Sequence, residues 1–454
     1  MTELLVSSAA KMPALEGKTL AHTTLGCKVN MYDTQAMVEI LTAHGCRVVS
    51  FEAAADIYIV NTCTVTNLGD KKSRQALRKA AKLNPEAVIV ACGCYSQVAR
   101  EAVKAIEGVS ILIGTKERMR IAEYINLYLE GRKQKDFVSN ISDQKEFENL
   151  NISAMEGKAR AYIKIQEGCD RYCTYCIIPY ARGPVRSRSL TNIIAEVEKL
   201  AQTGCKEVVL TGICLASYGK DMEGMNLSEI LYTLHEVEGI ERIRFGSVDP
   251  SSVTDELLEA MGSLPKICDH LHLSLQSGCD KTLKAMNRGY STAQYRATVE
   301  KFRAILPDAG ITTDIIAGFP GESDKDFRES LEFIKLMEFS KIHVFPYSLK
   351  AGTKAASMKN QIPPSIKEQR AKEVGELGAS LADKFAKKFE HKKLKVLFEQ
   401  KTGNNVYEGH SSNYITFRQE SAVDIENQIV ETEAAYAKDG CLYGRGVKCF
   451  YESH

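Results

Sequence analysis

The chain has 454 residues and a formal net charge of +1 at pH 7, so bulk charge carries no nucleic-acid signal and any RNA contact must come from local basic patches. Hydrophobic residues make up 44% of it, enough for several cores, yet no apolar run is long enough to cross a bilayer. Residues 1–18 lack a basic start followed by an apolar stretch, which reads against a secretory signal and for a reducing cytoplasm, where 14 cysteines argue for metal ligation rather than disulfides.

In chain order, the first segment alternates β-type runs at 19–25, 56–60, 87–90 and 109–113 with helical runs at 31–44, 68–83 and 95–106. That alternation predicts parallel βαβ units. A polar stretch at 131–157 reads as a linker. Strands are then expected at 161–166, 207–211, 242–247, 270–276, 312–317 and 341–347, separated by helices such as 191–202 and 324–337. Six β/α units in a row predict a barrel or partial barrel, with the chemistry at the C-terminal ends of its strands. Ser365 and Glu368 have capping-box spacing at the start of a further helix. Val374, Leu377, Leu381, Phe385 and Phe389 give that helix an apolar face. Short strands at 394–398, 413–417 and 422–425 suggest a small antiparallel barrel of a nucleic-acid-binding kind. The fold class is α/β: an N-terminal parallel α/β domain (18–131), a central six-unit β/α partial barrel (155–385) and a C-terminal antiparallel β-barrel (386–454).

Two cysteine groups carry the chemistry. Cys169, Cys173 and Cys176 lie within eight residues just after the first strand of the six-unit segment. Three thiolates so spaced can hold three irons of a four-iron cluster and leave one iron open; a zinc knuckle completed by a distant fourth ligand is the alternative. Cys27, Cys63 and Cys94 each follow the end of an expected strand of the first segment. In an open parallel sheet the strand ends share one edge, so these three can meet there. Free cysteine is also a common small core residue, and Cys92, two residues before Cys94, has the same side of an extended strand open to it.

The spacing of Cys169, Cys173 and Cys176 after a first barrel strand resembles the signature of the radical S-adenosylmethionine superfamily. That resemblance implies an open iron that binds the amino and carboxylate groups of S-adenosylmethionine, and one-electron cleavage of the sulfonium to a 5′-deoxyadenosyl radical. It implies cofactor contacts at Tyr175 beside the adenine, at Thr211 and Gly212 for the methionine amino group, and at Ser247, Asp249 and Gln276, with Asp249 as a ribose acceptor. Plain packing and turn formation are the alternatives for each.

With the dispersed cysteines added, the chain is similar over nearly its whole length to the methylthiotransferases. That family joins an N-terminal domain with three cysteines to a radical core and a C-terminal TRAM domain. The likeness implies two 4Fe–4S clusters, the second held by Cys27, Cys63 and Cys94. Cys94 occupies the cysteine of the family's Gly-Cys-Tyr-x-Gln stretch.

The runs Gly26-Cys27-Lys28-Val29-Asn30 and Cys176–Arg188 resemble the members acting on N6-threonylcarbamoyladenosine beside the anticodon of tRNA. Isopentenyladenosine in tRNA and an aspartate of a ribosomal protein are the other substrates of the family. An iron–sulfur RNA-binding protein without radical activity is the reading from another class. Cys214 stands where relatives often carry histidine. An anionic threonylcarbamoyl group calls for cations, and Arg182, Arg186 and Arg188 are the candidates, with salt bridging as the alternative. Lysines at 71–79 and at 384–395, Lys392 and Lys393 among them, are candidates for phosphate contact with the anticodon stem-loop. The remaining implied partners are a reductant such as flavodoxin or ferredoxin and a sulfur donor.

Overall fold

The computed structural model describes residues 12–132, 135–155 and 159–445. The expectations for 1–11, and for 133–134 and 156–157 of the linker, lie outside the described residues. By its contacts the chain forms two compact units. Among the described residues, the first comprises those from 12 to 153 with 167–170 and 176–186; the second comprises those from 154 to 166 with 171–175 and 187–445.

The first unit is built on β1 (Thr19–Thr24), β2 (Arg47–Val48), β3 (Ile57–Thr62), β4 (Val88–Gly93) and β5 (Val109–Leu112). They form one sheet in the order β2-β1-β3-β4-β5, all parallel. Every residue of β3 and β4 is buried, as central strands covered on both faces require. Leu20, Ile57, Ile59, Val90 and Cys92 face α1 (Lys28–Ala43) and α5 (Ile121–Leu129). The alternate residues Ala21, Tyr58, Val60, Ile89 and Ala91 face α2 (Asn67–Leu83), α3 (Cys94–Val98) and α4 (Arg100–Lys104). The helix expected at 95–106 is thus two short ones. The two-residue β2, with both residues exposed, gave no periodic signal. The expected linker is not free chain: Tyr32 Oη donates to Leu150 O at 2.5 Å and the Ser153 N–H to Glu39 at 2.8 Å, tying it to α1. The short helix α6 (Ile178–Arg182) also belongs to this unit.

The second unit holds the expected parallel strands: β6 (Arg160–Glu167), β8 (Glu207–Gly212), β9 (Arg242–Phe245) continued by β10 (Ser247–Val248), β11 (His270–Leu273), β12 (Gly310–Ala317) and β13 (Lys341–Pro346). They divide into two sheets, β7-β6-β8-β9, with the two-residue β7 (Arg186–Ser187) at its edge, and β10-β11-β12-β13. The change of sheet falls at Gly246, inside the single strand expected at 242–247. Helices α7 (Leu190–Gln202), α8 (Leu227–His235), α9 (Asp255–Ser263), α10 (Asp280–Ala285), α11 (Thr292–Ile305) and α12 (Asp324–Met337) connect them. The result is the partial barrel expected.

The helix α13 (Pro364–Lys387) follows. It starts two residues earlier than the Ser365–Glu368 capping box predicts: Pro363 is the cap, Pro364 opens the helix, and no side chain caps it. Proline needs no N–H partner in the first turn, so the box is not used. The C-terminal sheet runs β17 (Ile429–Glu433), β14 (Lys393–Gly403), β15 (Val406–Ser411), β16 (Thr416–Glu420), β19 (Cys441–Tyr443), β18 (Tyr436–Lys438). It is antiparallel except for the β16–β19 pair. Residues 422–425, expected as a strand, form a loop in which Val423 is exposed rather than packed.

Glu207, Arg160 and Arg242 are the first residues of their strands and form, with Arg244, a buried cluster at the N-terminal end of the barrel. Burial alone would raise the Glu207 carboxyl, but Arg244, Arg160 and Arg242 hold it below the ordinary carboxylate range. The same arginines reach the C-terminal sheet. Arg242 donates to the carbonyls of His410 (3.1 Å) and Lys395 (2.6 Å), Arg244 to those of Ser412 (2.8 Å) and Ser411 (3.2 Å), and Arg160 pairs with Glu399. This ion cluster anchors the C-terminal sheet on the face where barrels keep stability rather than chemistry.

Candidate active site

In the first unit the strand order reverses between β1 and β3, the switch point at which open α/β sheets bind ligands. Cys27 follows β1 and caps α1, Cys63 follows β3, and Cys94 opens α3 directly after β4. Two glycines make the approach possible. Gly26 has φ +103°, and a Cβ there would lie 3.0 Å from Cys63 Sγ. Gly93 has φ +92°, and a Cβ there would lie 2.3 Å from Asn61 Oδ1 and 2.6 Å from Thr62 O. Only glycine fits either position.

Cys27 is exposed, Cys63 half-buried and Cys94 buried. Burial pushes the Cys94 thiol up to about 11, against the pull of Arg182, and Cys27 and Cys63 add to the rise. The Cys63 thiol is likewise raised by burial and by Cys27. The three sulfurs therefore share one neighbourhood. Among the described residues no three cysteine, histidine or acidic side chains converge on a single ion position. Cys92 is placed differently. The turn at Gly93 breaks the alternation, and Cys92 packs into the α1 and α5 face of the core with no exposure.

Arg182 ends α6 and is fully buried. Its Nε lies 3.1 Å from Cys94 Sγ, its Nη1 3.1 Å from Asp33 and 2.8 Å from Glu167, and its Nη2 donates to Asn30. Arg118 holds the same two carboxylates and adds Glu148 at 2.9 Å. Arg186 is 2% exposed and donates to the carbonyls of Arg182 and Pro184; Arg188 is 0% exposed and paired with Glu196. This corrects the expectation of three cations waiting for an anionic substrate. The chain after Cys176 turns inward through α6, and its arginines meet internal acceptors instead.

The cysteine loop contributes to both units. In the first, the Cys169 N–H donates to Gly183 O at 3.0 Å and the Ile178 N–H to Cys176 Sγ at 3.4 Å. In the second, Arg288 Nη1 lies 3.3 Å from Cys173 Sγ, its Nη2 2.7 Å from Asp249 and its Nε 3.0 Å from Tyr290 Oη. Asp249 also accepts from Ser251 and ion-pairs with Arg171 at 3.7 Å, so the expected ribose acceptor is already an engaged carboxylate. Tyr175 packs against Met286, Phe319, Tyr347 and Ala355. Thr211 is buried at the end of β8, where Gly212 closes on Gln166; Gln166 Oε1 accepts the Cys214 N–H at 2.7 Å. Ser247 is exposed, and Gln276 turns the chain with φ +72°.

Sequence reasoning missed Arg288, Arg118, Asn30, Asp33 and Glu167. Asn30 and Asp33 left a trace: they are polar residues on the buried face of α1. Arg288 left none, since it lies in a loop with no period. Lys392 and Lys393 are exposed, Lys392 within 3.4 Å of Asp308, and Lys71, Lys72, Arg78 and Lys79 are exposed on α2.

Two family models match the chain: the radical SAM superfamily over residues 163–334 and the uncharacterised protein family UPF0004 over 19–114. The threonylcarbamoyladenosine tRNA methylthiotransferase MtaB of Bacillus subtilis is 40% identical over 433 residues, covering 94% of this chain and 96% of that protein. The protein of the same name from Aquifex aeolicus is 42% identical, covering 83% and 92%. A tRNA-2-methylthio-N(6)-dimethylallyladenosine synthase of Caldicellulosiruptor saccharolyticus is 34% identical, covering 94% and 92%. Among solved structures, the radical S-adenosylmethionine methyltransferase TsrM of Kitasatospora setae shares the fold at a TM-score of 0.53 and 13% identity, covering 72% of this chain and 73% of that one. No helix among the described residues is long and apolar enough to cross a membrane. With its thiols gathered at the switch point of one sheet and a cysteine loop opening the barrel, the chain belongs to the radical S-adenosylmethionine methylthiotransferase family.

Proposed function

We propose that this enzyme methylthiolates carbon 2 of N6-threonylcarbamoyladenosine next to the anticodon in tRNA, giving 2-methylthio-N6-threonylcarbamoyladenosine, in the cytoplasm. The observation that carries the reading is the meeting of Cys27, Cys63 and Cys94 at one sheet edge in a chain that also opens its barrel with Cys169, Cys173 and Cys176. The first set would hold one 4Fe–4S cluster and the second set another, with S-adenosylmethionine at its open iron. When bound, these groups would supply the radical that activates the adenine carbon and the methyl of the methylthio group that replaces its hydrogen.

The chain's own residues do the rest. Gly26 and Gly93 let the strand ends close on the thiols. Tyr175, Thr211, Gly212, Ser247, Asp249 and Gln276 line the strand ends where the cofactor would sit, with Asp249 held in place by Arg288. Lys392, Lys393 and the lysines of α2 are the cations for the tRNA backbone. The target base leaves its stack at low cost because it lies in a loop. A flavodoxin or ferredoxin would supply electrons and a separate donor the sulfur. The domains would be 18–131, 155–385 and 386–454.

The test is mass spectrometry of tRNA nucleosides from a strain with and without this protein. Loss of the 2-methylthio group from threonylcarbamoyladenosine alone is the result expected. Its loss from isopentenyladenosine instead would assign the dimethylallyl substrate, for which relatives at 34–37% identity are named.

A further inference from the structure

A buried guanidinium needs acceptors for its donors, because a bare donor in a low-dielectric interior forfeits its hydration. Arg182 meets acceptors of three kinds: the thiol sulfur of Cys94, the carboxylates of Asp33 and Glu167, and the amide oxygen of Asn30. The carboxylates do not depend on it alone, since Arg118 holds both. Beyond the carboxylates, Arg182 donates to Asn30 and aims its Nε–H at Cys94 Sγ over 3.1 Å, a direction fixed by the planar fork of the guanidinium. Its place in the chain strengthens the point. It lies six residues after Cys176, and its partner Glu167 lies two residues before Cys169. The segment that carries two cysteines of one set is thereby clamped onto a cysteine of the other.

A donor on a ligating sulfur draws electron density from it and favours the reduced, more negative form of a cluster. We propose that Arg182 is a positioning residue for the cluster held by Cys27, Cys63 and Cys94, fixing the Cys94 sulfur and raising that cluster's reduction potential through the Nε–H···S bond. The inference rests on the cluster assignment above. The charges that face this bond are Arg118, Asp33, Glu167 and, through Arg118, Glu148. Acids outnumber bases there, so the lever is the directed hydrogen bond rather than a surplus of positive charge.

The test uses the full chain with Cys169, Cys173 and Cys176 changed to alanine, reconstituted anaerobically so that only the N-terminal cluster remains. Its midpoint potential is read by redox titration followed by electron paramagnetic resonance. Arg182→Gln should shift the midpoint to more negative potential. Arg182→Lys keeps the charge on Asp33 and Glu167 but loses the fork, so it should shift the midpoint less in the same direction. Arg118→Lys, which touches the same carboxylates, should leave the parent value. An unshifted midpoint in an Arg182 variant that retains iron would overturn the proposal. So would an equal shift in Arg118→Lys, or loss of iron by both Arg182 variants, since either marks a merely structural role. Absence of iron in the parent triple variant would overturn the cluster assignment itself and the inference with it.

Discussion

The two cysteine groups reach their sites by opposite routes. Cys169, Cys173 and Cys176 are brought together by eight residues of chain, and the fold need only present their loop. Cys27, Cys63 and Cys94 span 68 positions and meet because β1, β3 and β4 are parallel neighbours whose C-terminal ends share one edge. In both groups one thiol carries an arginine, Arg288 on Cys173 at 3.3 Å and Arg182 on Cys94 at 3.1 Å. The partners of those arginines differ. Arg288 goes on to Asp249, at the strand end where the cofactor is expected, whereas Arg182 goes on to Asp33 and Glu167 inside the protein. The arginine of the contiguous group leads to a strand end, whereas that of the dispersed group is braced by buried carboxylates. A loop motif tolerates a changing neighbour, and a site assembled from three strands needs a fixed one.

The largest effect expected on this contrast comes from changing Cys169, Cys173 and Cys176 together to alanine. Cleavage of S-adenosylmethionine should vanish and iron should fall from about eight to about four per chain. An unchanged iron content, or zinc in its place, would undo the two-cluster account.

Glu207→Gln comes next. It leaves Arg160, Arg242 and Arg244 facing one another without their buried carboxylate, which should cost about 3–5 kcal/mol in a denaturation measurement. The folded carboxyl lies below its ordinary value, so its stabilisation is fully present above about pH 4.3 and is lost as pH falls toward the folded value. The variant should lack that acid dependence, and a variant as stable as the parent at pH 7 would show that the cluster does not anchor the C-terminal sheet.

A smaller change is expected from neutralising Lys392, Lys393 and Lys395 to glutamine. Each phosphate that thereby goes unneutralised should flatten the slope of log affinity for tRNA against log salt by about 0.7–0.9. A full slope would move the grip to α2, where Lys71, Lys72 and Arg78 are exposed. Substitution is the better probe than truncation, because Phe385, Ala386 and Phe389 of the preceding helical segment form one core with β14–β16. The smallest effect belongs to Cys92→Ala. Iron and product should stay at parental levels, with only about 1 kcal/mol of stability lost from the core. Loss of half the iron would make Cys92 the ligand.

Much of this was legible in the sequence for one reason. In parallel α/β chains the period of each element and the turn after each strand are written locally, so the strands at 19–25, 161–166 and 341–347 fall within two residues of where they are found. The dispersed cysteines were legible because each follows such a strand. Long-range polar pairing was not. Arg182 reads locally as a basic residue in a basic run, and nothing near it in sequence announces Asp33, 149 positions away. The C-terminal sheet was read least well, because all its strands but β14 have only three to six residues and carry few apolar positions, and their register depends on neighbours such as Arg242 and Arg244.

The central claim is that the dispersed thiols form a second, chemically distinct centre. It is tested most directly by changing Cys27, Cys63 and Cys94 together to alanine and measuring 5′-deoxyadenosine and the methylthiolated nucleoside in the same reaction. The account predicts that 5′-deoxyadenosine still forms while the methylthio product disappears. Normal product from that variant would contradict it.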